Sequence, residues 1–317
     1  MAWETATRRK ILPIASKAKG SENPVTFRLP KVGILAGIHL LITGAVAGTL
    51  SAPNAFGMAS IVKRVRLTAN NGIDILNFSG PEYHYLLRDQ IEDYKDPVAD
   101  STARNVVTAV AFDISMYLPV AVNLRDPVGL LMLQSEGTEY TLTVEFEADA
   151  TVATGATVTA TVAPHLVLFS VPADRKDWPD FSRVHRIIAE EPVISATGEY
   201  RYKPPRGNAY LQLLYGLGMA QAGSDKFSRV QLATGSDVIM DLTPNAFDIE
   251  YSHTHGRARL AGTFVFDFLG SSGLGSYGST RDIVYSQALT DLDVVITVST
   301  ADTLYALRRE IVAIVAN

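Results

Sequence analysis

The sequence predicts an all-β protein: two tandem eight-stranded jelly-roll β-barrels, one short helix inserted in the first, and an extended N-terminal arm ahead of both. Three observations carry this expectation. Short apolar runs alternate with turn signals from Phe27 onward. The second half repeats motifs of the first in the same order and at matched spacing. At 317 residues the chain is long enough for two domains that each bury a core.

The repeat rests on named residues. Phe112-Asp113 and the alternating run ending at Val144 recur as Phe266-Asp267 and the run ending at Val298, 32 residues apart in both cases. Arg125-Asp126 recurs as Arg281-Asp282. Upstream, Arg64-Val65-Arg66-Leu67 has its echo in Arg229-Val230-Gln231-Leu232, and Thr157–Ala163 is aligned with Ile311–Ala316. The period of about 154–165 residues is far longer than a solenoid unit, so a whole domain is doubled. The expected organisation is an arm over 1–26, a first jelly roll over 27–165 and a second over 166–317.

Residues 1–26 show no sustained period and need a neighbour to hold them. Strands are expected at 34–43, 60–69, 72–78, 105–118, 129–134 and 138–147, with a further alternating run over 151–154 and 157–162, broken by Gly155, that suits a hairpin. The apolar stretch 33–50 has only His39 as an ionisable group, yet its four glycines suit buried β-structure over 33–47 better than a membrane helix. Ser79-Gly80-Pro81-Glu82, followed by apolar residues three or four apart, predicts a capped helix of three to four turns ending before Pro97. In the second copy, Thr243–Asp248 reads as a turn or a single helical turn.

A linker is expected after Ala163-Pro164-His165, through Asp174 to Pro179. Strands then follow at 183–188, 192–202, 208–219, 228–234, 237–242, 247–252, 257–268, 283–288, 292–299 and 311–316. At 304–316 helical spacing of Leu304, Leu307, Ile311 and Ile314 competes with β-structure. The repeat favours a hairpin turning near Arg308-Arg309-Glu310.

Charge and motifs narrow the function. Net charge is -5, but residues 1–32 carry +5 and the remainder -10. An acidic body is not a general nucleic-acid binder, so an anionic partner would meet the arm. Its cations Arg8, Arg9, Lys10, Lys17 and Lys19 suit phosphates or lipid head groups, or else the arm is a strand that docks on a neighbouring subunit. There is no cysteine, which excludes a disulfide framework, thiolate metal sites and a cysteine nucleophile.

Gly273–Gly278 fits the G-x-G-x-x-G pattern, but too little chain follows it for a dinucleotide fold and the other copy has Leu118–Val122 in its place; it reads as an exposed loop. His253-Thr254-His255 would project two imidazoles from one face of a strand, as metal-binding double barrels do. The carboxylate expected a few positions later is missing. No nucleophile elbow is present, and the pairs Glu190-Glu191 and Glu145/Glu147 read as exposed strand positions.

With the doubled β-domain, the inserted helix and the string Ala59-Ser60-Ile61-Val62-Lys63-Arg64-Val65-Arg66-Leu67-Thr68-Ala69-Asn70-Asn71-Gly72 in view, the chain resembles a known family. It is similar to the double jelly-roll major capsid proteins of tailless icosahedral viruses, especially membrane-containing, tectivirus-like bacteriophages. The resemblance implies a structural protein rather than an enzyme, with no cofactor and no catalytic or metal residue. It implies homotrimers of pseudo-hexagonal outline that tile an icosahedral virion shell after assembly in the host cytoplasm. Implied partners are neighbouring capsomers, minor capsid or vertex proteins and an internal membrane beneath the shell, with no specific nucleic-acid sequence. The arm would lie near the inner face, over membrane or genome, and residues 118–128 and 270–279 would be crown loops. The competing expectation is a metal-dependent enzyme of the double-cupin kind, built on His253 and His255.

Overall fold

The computed structural model describes residues 7–20, 23–48, 51–70, 72–87, 110–122, 128–220, 223–235, 237–255, 258–269, 283–289 and 291–313. They fall into two compact units, the described residues within 7–84 and 110–188 together with 313 in one, those within 85–87 and 189–312 in the other.

In the first unit the longer strands are β1 (Arg9–Pro13), β2 (Val25–Arg28), β3 (Ile34–Ala47), β4 (Val62–Ala69), β5 (Ile73–Phe78), β6 (Val110–Pro119), β7 (Tyr140–Phe146), β8 (Thr157–Phe169) and β9 (Arg183–Glu190). They make two sheets, in the orders β1-β8-β3-β6 and β5-β4-β7-β2, with β9 laid parallel on the outer edge of β5. Alternation explains the packing. Ile38, Leu40 and Ile42 of β3 are buried while His39 between them and Thr43 after them are exposed, and Leu142, Val144 and Phe146 of β7 are buried in the same period of two.

Two glycines in the apolar stretch have a strand reason rather than a helical one. A side chain on Gly44 would meet the Thr159 carbonyl oxygen and the Phe112 ring, and one on Gly37 would strike the Tyr117 ring. Both positions admit a neighbour into the space a Cβ would fill.

The second unit contains β10 (Gly198–Tyr202), β11 (Ala209–Gly216), β12 (Phe227–Thr234), β13 (Asp237–Leu242), β14 (Thr263–Asp267), β15 (Asp293–Val298) and β16 (Tyr305–Ala313). Its sheets run β10-β15-β12-β13 and β14-β11-β16. Each of these strands has a counterpart with the same neighbours in the first unit: β2-β7-β4-β5 matches β10-β15-β12-β13, and β6-β3-β8 matches β14-β11-β16. Even an irregularity is copied. The β4–β5 register skips Ile75 after Leu67, and the β12–β13 register skips Ile239 after Leu232. The core of this unit is aromatic, with Tyr215 stacked on Phe264 at 5.0 Å and Phe227 edge-on to Phe264 at 4.9 Å.

Four expectations change. First, β8 runs unbroken to Phe169, through the junction placed at 165/166. Pro164 sits opposite Leu40 and its carbonyl accepts from the Ile14 N–H, so the proline continues the strand instead of ending it. Second, both copies carry a helix between the fourth and fifth strands of the repeat, after β5 and after β13. Pro244–His255 (α2) has three turns and replaces the expected turn and strand 247–252, because Phe247 and Tyr251, four apart, both bury.

Third, in the first copy α1 (Gly80–Glu82) continues as a wider helical turn over Tyr83–Leu87, and the rest of the expected helix lies outside the described residues. Fourth, no hairpin turns at Arg308-Arg309-Glu310; these residues lie buried in the middle of β16. Gly44 pairs with Phe112 and Ala160, and Leu213 pairs with Phe266 and Arg308, so Ala160 corresponds to Arg308. The tail alignment of the two copies is therefore 148 residues and not 154.

The start of α1 is as the sequence signals. The Ser79 hydroxyl accepts the Glu82 N–H, and the Glu82 carboxylate accepts the Ser79 N–H at 2.6 Å in a complete capping box. Replacement Ser79→Ala should lower unfolding stability by about 1 kcal/mol, read as an earlier denaturant midpoint at unchanged slope.

Candidate assembly site

The basic arm docks on its own barrel. Strand β1 pairs antiparallel with β8, from Arg9 opposite Phe169 to Pro13 opposite His165, and Lys17–Ala18 pairs further along the same strand. Two of the five arm cations are engaged internally. The Lys17 ammonium donates to the Thr26 carbonyl and lies over the Phe27 ring. Lys19 is bound to the Asp149 carboxylate and donates to the Val158 carbonyl at 3.2 Å. Arg8, Arg9 and Lys10 remain exposed.

The row Pro13, His165, His39 and Tyr117 lies side by side across β1, β8, β3 and β6. Partial burial, then the nearby charges of Arg9 and His165, hold His39 below its usual value and favour the neutral ring.

Edges distinguish the two copies. In the first, β5 receives β9 in parallel, with Ile187 opposite Leu76 and Ile188 opposite Asn77, and Arg186 Nε donates to the Asp74 carbonyl at 2.8 Å. In the second, the counterpart edge of β13 pairs with nothing among the described residues, β12 being its sole neighbour on the other side. Ile75 is 1% exposed, whereas its counterpart Ile239 is 49% exposed, beside Val238 at 52%. A bare edge with apolar side chains is a template for another strand.

The polar core of the second unit was not foreseen. Arg308 Nη1 donates at 2.6 Å to both the Glu190 carboxylate and the Tyr202 hydroxyl, and that hydroxyl donates to Glu190 at 2.7 Å. Burial alone would raise the Glu190 carboxyl, but these bonds outweigh it and hold it below its ordinary value. On the other side of β16, Arg309 donates to Gln212 Oε1 at 2.6 Å, and complete burial pushes its guanidinium down to about 10. It is still a cation at neutral pH. Glu190 is half exposed on its strand, as the sequence suggests, and has an internal partner in Arg308 as well.

Arg259 clamps α2 to the barrel. Its guanidinium forks onto Asp225 at 2.8 and 2.9 Å, reaches Asp248 of α2 at 2.9 Å, and donates to the Thr263 carbonyl at 2.6 Å.

Of the two enzyme-like motifs, only the histidine pair lies within the described residues. His253 is exposed on α2, so the strand geometry imagined for the histidine pair does not exist; a helix does not put residues two apart on one face. Among the described residues no group of three or more His, Asp or Glu is placed to hold a metal ion. Gly273–Gly278 lies outside the described residues, as do 123–127 and 270–279 of the expected crown loops.

No family model matches the sequence, and no curated relative does. Solved structures do match. A chain from the atomic structure of Sulfolobus Turreted Icosahedral Virus superposes with a TM-score of 0.72 at 12% identity, covering 97% of this chain and 91% of that one. The major capsid protein P2 from bacteriophage PM2 gives 0.59 at 14% identity, covering 98% and 99%. The PBCV-1 virus capsid model gives 0.64 at 12% identity, covering 98% of each. The fold is the double jelly roll of viral major capsid proteins.

Within that double jelly roll, the Arg259 clamp ties stability to pH. Burial alone would raise Asp225, but hydrogen bonds from Arg259 and the Gly262 N–H hold its carboxyl below the ordinary carboxylate value. A carboxyl depressed on folding stabilises the protein above its unfolded pKa, and that contribution disappears as pH falls through the folded value. Arg259→Gln should therefore cost about 2–4 kcal/mol at neutral pH and flatten the loss of stability below about pH 4, measured by denaturant unfolding at several pH values.

Proposed function

We propose that this chain is a major capsid protein: a structural tile of an icosahedral virion, acting as a homotrimer of pseudo-hexagonal outline. The observation that carries the reading is the whole-chain fit of a doubled barrel, not of one barrel alone, to capsid chains from three viruses over 97–98% of its length. The physical logic is geometric. Three copies of a two-barrel chain present six similar barrels, so a threefold ring packs as a sixfold tile.

In this reading the chain is assembled in the host cytoplasm and resides in the virion. It contacts neighbouring capsomers and minor capsid or vertex proteins, with an internal membrane or genome beneath. Arg8 and Arg9, exposed at the start of the arm, are the cations that meet that anionic interior, and Lys17 and Lys19 serve to fasten the arm to its own barrel. No nucleic-acid sequence is read, since phosphate contacts carry none.

The test is the solution mass of the purified full chain by light scattering across a concentration series. Three chain masses, or larger shell-like particles, are expected. A single chain mass persisting at the highest concentration would contradict the proposal.

A further inference from the structure

We infer that the bare edge of β13 takes up strand β1 of a second copy of this chain, in parallel, with Ile11 opposite Met240 and Leu12 opposite Asp241. The inference rests on the capsomer reading and gives it a specific contact. It comes from the internal repeat. In chain order β9 stands to the second copy as β1 stands to the first, ahead of the strands β10 and β2 that begin the matched series. Strand β9 occupies the edge of β5. The counterpart of β5 is β13, whose edge is empty among the described residues, and the counterpart of β9 is β1, whose outer edge likewise has no strand beyond it.

The residues fit the exchange. Arg186-Ile187-Ile188, the part of β9 that pairs with β5, has the same character as Lys10-Ile11-Leu12 of β1. Ile11 and Leu12 are 54% and 37% exposed, an unusual use of two apolar residues on a strand with only one neighbour. Next to Met240 on the same edge stand Val238 and Ile239, the exposed counterparts of Asp74 and the buried Ile75.

Lys10 is placed as Arg186 is, so its ammonium can donate to the Val238 carbonyl as Arg186 donates to that of Asp74. Asp237, exposed at the start of β13, lies at the end where a parallel β1 opens with Arg9-Lys10, so the charges there are complementary. Side chains of Arg8 and Arg9 stay available to an anionic surface, because strand pairing uses the backbone edge. A pair this short buries less than a stable interface needs, and its work is to set register within a wider contact. Since edge and strand lie on different copies, the contact is head-to-tail, the kind that closes into a ring or runs on as a chain of subunits.

The chain has no cysteine, so a cross-link can be introduced without background. Neighbouring strands lie within disulfide reach. The variant Ile11→Cys with Met240→Cys, oxidised as the full chain and run on a non-reducing gel, should give covalent dimers that proceed to a closed trimer. Either single variant should give dimers at most. Trimers by light scattering without cross-linking of the double variant would overturn the edge contact while leaving the capsomer reading intact. A single chain mass in both measurements would overturn both. As a second arm, Val238→Lys with Ile239→Lys should weaken trimer association at least tenfold at unchanged circular dichroism. An unchanged trimer would count against the contact.

Discussion

An open β-sheet carries unpaired N–H and C=O groups along each margin, and this chain's organisation follows from how those margins are covered. In the first copy the arm strand lies along β8 and the parallel strand β9 lies along β5. In the second copy the counterpart margin on β13 is unpaired among the described residues, with valine and isoleucine half exposed beside it. Doubling a barrel while covering one edge within the chain makes the twin edge the one a neighbour would use in the proposed capsomer. In the proposed capsomer, that asymmetry is what would suit the fold to lateral assembly.

The buried charges serve the same rigidity. A strand containing Arg308, Arg309 and Glu310 would be a poor candidate for a barrel interior, because an unpaired buried charge costs several kcal/mol. Here alternation sends the first two to opposite faces. Arg308 finds Glu190 and Tyr202, and Arg309 finds Gln212. Bonded partners on β9, β10 and β11 fix the position of β16 against three other strands. Arg259 performs a comparable task for α2, joining Asp225, Asp248 and the Thr263 carbonyl.

Much of the fold could be read from the residues. Period-two writing marked β4, β7 and β15, the capping box marked the start of α1, and the Phe-Asp and Arg-Val echoes paired the correct strands of the two copies. The failures share a cause. Arg308-Arg309-Glu310 and Pro164 are local turn signals, and tertiary pairing overrode both. The helix α2 was missed because Thr243-Pro244 looked like a turn, although the four-residue spacing of Phe247 and Tyr251 was already a helical signal. For the candidate site, the arm's charge was visible but its docking was not. Nothing in Lys17 or Lys19 alone announces that each binds within its own barrel. The open edge of β13 becomes legible only when the two copies are compared strand by strand.

The most direct test of the central claim, that the doubled barrel exists to tile, is a density map of the assembled full chain by electron cryomicroscopy. The account predicts three copies around a threefold axis, with six barrels of near-equal density forming a hexagonal outline. Isolated single chains, or a closed twofold dimer with no ring, would contradict it.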